Sequence, residues 1–102
     1  MITIHNMQTN RTIISPYDVL VDRTSVLGNP YHMSKECCRD EVCDMYEDWF
    51  ENKLNIKAHR IMDELNRFLA LHKKYGKLRI FCWCAPKRCH AETIKMYLES
   101  KL

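Results

Sequence analysis

Leu78-Arg79-Ile80-Phe81-Cys82-Trp83-Cys84-Ala85-Pro86-Lys87-Arg88-Cys89-His90 is the stretch on which the fold of this 102-residue chain turns. Its apolar residues Leu78, Ile80, Phe81 and Trp83 predict a buried strand over Lys77 to Cys84. Pro86 cannot continue a central ladder, so the strand ends there. From His90 the spacing of Ile94, Tyr97, Leu98 and Leu102 predicts a helix with those four residues turned inward. The stretch is therefore a strand-to-helix junction.

Working back from it, Gly76 stands where a helix over about 57–75 should stop, behind a basic last turn of Lys73 and Lys74. That helix presents Ala58, Ile61, Leu65, Phe68, Leu69 and His72 on one face. A break around Asn52 to Asn55 separates it from an earlier helix capped by Ser34. Cys38, Val42, Met45, Tyr46, Trp49 and Phe50 form the apolar stripe of that earlier helix. Its other face is acidic: Glu36, Asp40, Glu41, Asp44, Glu47, Asp48 and Glu51. Before it, Gly28-Asn29-Pro30 is turn chemistry within a loop over 24–34. A strand is expected from Ile13 to Arg23, strongest over Tyr17 to Val21, and a first short strand over residues 2–7. The order strand, strand, helix, helix, strand, helix predicts an α/β fold: a small open, mostly parallel sheet of about three strands flanked by helices. Strands joined through helices favour parallel pairing and a right-handed crossover.

Length leaves room for a single domain over 1–102. Hydrophobic residues make up 46% and charged residues 28% of the chain, with only 2 Gly and 3 Pro, the composition of a globular protein without low-complexity tracts. A formal charge of +3 gives no dense basic face, so direct nucleic-acid binding is not expected. No apolar run approaches the ~20 residues of a membrane span, and the start of the chain lacks a secretory signal pattern. The expected location is therefore cytoplasmic, with the 6 cysteines as free thiols rather than disulfides.

Ligands of open α/β sheets sit beyond the carboxyl ends of the strands. Two polar stretches arrive there: Asp22 to Tyr31 and Cys82 to His90. They would meet if their strands are neighbours. Cys82 and Cys84 fall on one face of the strand and Trp83 on the other, while Cys89 and His90 open the last helix beside Lys87 and Arg88. Such a helix start favours thiol ionisation and anion binding. Three readings fit the cluster: a zinc site, an anion or nucleotide site, and cysteines that merely pack. The spacing C-x-C-x4-C-H suits tetrahedral zinc poorly, so no metal and no cofactor are expected. Arg23 could hold a phosphate or pair with the acidic helix; Asn29 could contact ligand or shape its turn. Cys38 is expected to pack, Cys37 and Cys43 to face solvent or a partner, and His32 is a candidate base. Trp49 and Trp83 are expected in the core.

Tyr17-Asp18-Val19 through Arg23, Gly28-Asn29-Pro30-Tyr31, Tyr46 with Trp49, and Cys82-Trp83-Cys84-Ala85-Pro86 with Cys89-His90 together resemble the domain-of-unknown-function family 4326. The likeness runs over about residues 13–100. It departs at Ala91, where a Gly usually follows the Cys-His pair, and at Phe81, where a small residue usually stands. The missing Gly narrows backbone approach at the helix start. Members are small and common in bacteria and their phages, so the resemblance is compatible with a phage origin and then with the host cytoplasm.

The expected function is a binding protein for a small anionic ligand, a nucleotide or ADP-ribose-like molecule. Arg23, Asn29, Cys84, Lys87, Arg88, Cys89 and His90 are its expected ligand-binding residues. In a phage it would sequester a host signalling nucleotide, by analogy with small phage decoys. One alternative is a nucleotide-processing enzyme using a thiol with His90 as acid/base. Another is a module that binds a host protein through its charged helices. A homo-oligomer is compatible with any of these.

Overall fold

A computed structural model describes residues 1–7, 15–22, 25–31, 39–83 and 88–102. Along these run β1 (Ile2–Asn6), β2 (Asp18–Leu20), α1 (Arg39–Asn55), α2 (His59–Tyr75), β3 (Leu78–Cys82) and α3 (His90–Ser100). The three strands form one sheet in the order β1-β3-β2, and both pairings are parallel. The protein is thus a small open α/β fold. The stretch that decided the sequence reading supplies the central strand, flanked on both sides.

Register explains which residues are buried. Ile2 and Ile4 stand beside Leu78 and Ile80, and Val19 stands beside Ile80 from the other side. Together with Val21 and Cys82 they face the helices, and the core joins them to Tyr46, Phe50, Ile61, Leu65, Phe68, Ile94 and Leu98. The opposite face carries Thr3, His5, Asp18, Leu20, Arg79 and Phe81. There Asp18 and Arg79 are register partners and make a two-point ion pair, Nε to Oδ1 at 2.5 Å and NH2 to Oδ2 at 2.7 Å. The Asp18 side chain is 0% exposed; the guanidinium supplies a counter-charge for its burial, and Ser15 N donates to Oδ2 at 3.2 Å. The His5 ring stacks on Phe81 at 5.2 Å.

β2 is shorter than the extended run predicted. Its ladder nevertheless reaches from the Tyr17 carbonyl, which accepts from Arg79 N, to Val21 N, which donates to the Phe81 carbonyl. The acidic first turn and Lys53 in the last turn of α1 agree with its dipole. Its buried face is Cys43, Tyr46 and Phe50, with Trp49 half-buried against the core. Two residues depart from the predicted stripe. Cys43 is buried rather than solvent-facing, and Met45 is 40% exposed. The true stripe runs at i, i+3, i+7 from Cys43, which leaves Met45 beside it. α2 ends as expected, with Gly76 in the left-handed region at φ 75° and its N–H donating to the His72 carbonyl. In α3 Ile94 and Leu98 are buried, but Leu102 lies past the helix end and is 62% exposed. Among the described residues no helix is long and apolar enough to cross a membrane.

Candidate functional site

Parallel pairing brings the carboxyl ends of all three strands to one edge of the sheet. Met7 N donates to the Cys82 carbonyl at 2.7 Å, and Val21 N to the Phe81 carbonyl at 3.0 Å. β2 and β3 are neighbours, so the condition for their following segments to meet is satisfied. His90, the first residue of α3, donates from Nε2 to the Val21 carbonyl. That bond seats the start of α3 directly on the end of β2.

Tyr46 completes the junction from α1. Its hydroxyl donates to the Leu27 carbonyl at 2.8 Å, and its ring meets His90 edge-on at 5.1 Å. Burial pushes the phenol above its ordinary range, and the nearby Cys89 pushes the same way. One buried side chain therefore ties together the loop after β2, helix α1 and the start of α3. In the sequence Tyr46 stands out only by its place in an apolar stripe and, with Trp49, in the family resemblance; neither signal points to a hydroxyl that anchors a loop.

The loop after β2 is built from short turns. Ser25 N and Oγ both donate to the Asp22 carbonyl at 3.0 Å, and Gly28 N donates to the Ser25 carbonyl. Asn29 is buried, and its Oδ1 accepts from Tyr31 N at 2.8 Å, an Asx turn. Of its two predicted uses, shaping the turn is the one this bond serves.

Cys89 is the N-cap of α3. Its Sγ accepts from Ala91 N at 3.3 Å, while Glu92 Oε2 accepts from Cys89 N at 3.2 Å, a capping box with a thiol in the place usually taken by Ser or Thr. Cys82 is fully buried in the core. Among the described residues Cys43, Cys82 and Cys89 form no disulfide. Among the described residues no group of three or more His, Cys, Asp or Glu is placed to hold a metal. Arg88 lies against the acidic face of α1. It reaches Asp40 Oδ1 at 3.1 Å, Asp44 Oδ1 at 2.8 Å and Glu47 Oε1 at 3.4 Å. Those carboxylates, Asp44 first, hold the guanidinium above its ordinary range. In return Arg39 NH1 donates to the Arg88 carbonyl at 3.0 Å. The segment entering α3 is thus strapped to α1. Arg23, Cys84 and Lys87, together with His32, Ser34, Cys37 and Cys38, lie outside the described residues.

Trp83 overturns an expectation. It is 48% exposed rather than in the core, and its Nε1 is 3.5 Å from Asp22 Oδ2. The strand alternation turns it away from Cys82, which faces the helices. An exposed indole therefore stands between the ends of β2 and β3.

This geometry defines a small α/β protein with a candidate site at the carboxyl edge of its parallel sheet. The chain belongs to the family described as Domain of unknown function (DUF4326), which matches residues 4–100. No curated protein and no solved structure matches the chain.

Proposed function

We propose that this protein binds a small anionic ligand, a nucleotide or ADP-ribose-like molecule, at the carboxyl edge of the sheet. The observation that carries the reading is Trp83. A half-exposed indole presents an aromatic face to solvent, and it stands where open α/β sheets take their ligands. A flat base would stack on it, a contact worth about 1–3 kcal/mol per base. Arg23 follows β2 and Lys87 precedes α3 along the chain, and with Arg88 already paired to α1 these two are assigned to the phosphates. Arg88, Cys89, His90 and Asn29 then act as scaffold: they fix the helix start and the loop on either side. In a phage the same binding would withdraw a signalling nucleotide from the host.

Calorimetric titration with ADP and ADP-ribose tests the reading. Trp83→Ala and Arg23→Ala should each weaken binding at least about tenfold, which corresponds to ~1.4 kcal/mol. Thermal stability should move little for both, because Trp83 is half exposed and an arginine of the kind expected at position 23 contributes little to folding. Binding unchanged in both variants, or no heat with either ligand at millimolar concentration, rejects it.

A further inference from the structure

A second, separate feature lies on the far side of the loop after β2. Ser25 and Val26 of that loop, Trp49 and Lys53 of α1, and the first turn of α2 enclose a groove of about 510 Å3 that also exposes His59 and Arg60. The volume is that of a small-molecule site. Its charge is one-sided. Lys53, His59 and Arg60 have no carboxylate partner among the described residues, whereas Arg67, Arg79 and Arg88 are all paired. Asp63 and Glu64 line an adjoining groove that Arg60 also borders, but Glu64 is engaged by Arg67 at 2.5 Å. The first turn of α2 has no acidic residue, and Ala58 supplies no side-chain cap. Helix polarity therefore adds to the positive field instead of being offset by an acid. His59 also borders a neighbouring groove of about 480 Å3 that brings Lys57 and Lys101 to the same surface.

The apolar wall is equally defined. Trp49 rests on Tyr46 at 5.3 Å between ring centres and has the Lys53 ammonium 5.8 Å from its own. An aromatic wall beside two permanent cations and an imidazole is a pairing of chemistries that a plain solvated surface does not need.

We propose that this groove binds a phosphate monoester with a flat, apolar organic part. The phosphate sits between Lys53 and Arg60 beside His59, and the organic part lies against Trp49 and Val26. A dianion matches two fixed positive charges better than a carboxylate does, and Arg adds directed donors. The site is independent of the one at the sheet edge: it shares no residue with Trp83 or the start of α3.

The test is a titration of the 15N-labelled full chain with phenyl phosphate, inorganic phosphate and benzoate, read at backbone amides and at the two indole N–H signals. Phenyl phosphate is expected to shift the Trp49 indole and the amides of residues 59–61. It should bind at least tenfold tighter than either fragment. Arg60→Gln and Lys53→Gln should each weaken it at least fivefold, while Lys95→Gln, on α3 and outside the groove, leaves it unchanged. Melting curves of the variants show that they are folded. Shifts confined to Trp83 and residues 88–91, equal weak binding of all three probes, or full binding by the Arg60→Gln and Lys53→Gln variants overturns the proposal.

Discussion

Two residues hold more of this protein together than their positions in the chain suggest. Tyr46 is fully buried, and its hydroxyl donates to the Leu27 carbonyl. Tyr46→Phe keeps the ring but leaves that carbonyl without its donor, a loss of about 1–2 kcal/mol. Urea unfolding should read that loss. Amide exchange in residues 25–31 should quicken more than exchange in β3, because the bond anchors the loop and not the sheet. Arg79 is the second. Replacing it by Met leaves the Asp18 carboxylate buried without its counter-charge. A fully buried pair broken this way costs about 3–5 kcal/mol. The Arg79 side chain is 28% exposed, so water offsets part of the loss, and about 2–3 kcal/mol is expected. Adding Asp18→Asn to Arg79→Met should recover stability, a coupling that a double-mutant cycle measures. Additive losses would mean that the ion pair is not what permits burial of Asp18.

The ends of the helices carry the clearest local rules and one exception to them. Gly76 closes α2 at φ 75°, and a Cβ built there meets nothing within 4 Å. Gly76→Ala is therefore purely a backbone penalty, about 1 kcal/mol. Lys57, in the turn between α1 and α2, holds φ 52° with a full side chain. Lys57→Gly should relieve that conformation and raise the melting temperature slightly, a gain under about 1 kcal/mol once the freer unfolded chain is counted. A lower melting temperature would mean that the Lys57 side chain contributes packing that outweighs the strain. Of the two turns, only the one at Gly76 was readable beforehand, because glycine marks a left-handed residue and lysine does not.

At the scale of the whole molecule, stability should depend on pH through two partly buried imidazoles, His5 and His72. His5 is held below its ordinary value first by burial and then by the Arg79 charge, with Asp18 acting the other way. His72 is lowered by burial and by the N-terminal ammonium, which lies 2.9 Å from its Nε2. The folded state thus favours neutral rings, while the unfolded chain takes up protons near pH 6.5. Stability is full above that value and falls as pH drops through the lowered folded values. Urea titrations at pH 7.5 and 5.0 should show the loss. His5→Gln should flatten the difference between them, while Lys95→Gln should not. An unchanged difference in His5→Gln would assign the pH dependence to other groups.

Much of the architecture was legible from residue pattern alone. The Leu78 to Cys82 run, the helix stop at Gly76, the periodic faces of α2 and α3 and the element order all follow from local periodicity and turn chemistry, which act over a few residues and need no partner. The acidic face of α1 was equally plain as a pattern. What occupies it was not, because Arg88 and Glu47 are 41 residues apart and only the packing of α3's entry against α1 brings them together. The same holds for the site. Its location beyond the strand ends could be argued from sequence, but the neighbouring of β2 and β3, the bond from His90 to Val21 and the hub at Tyr46 are consequences of sheet order. Cys43 and Trp83 make the point in opposite directions. One was assigned to solvent and is buried; the other was assigned to the core and is half exposed. A residue's type fixes its preference for burial, but which helix or strand end covers it is settled by the other elements of the fold.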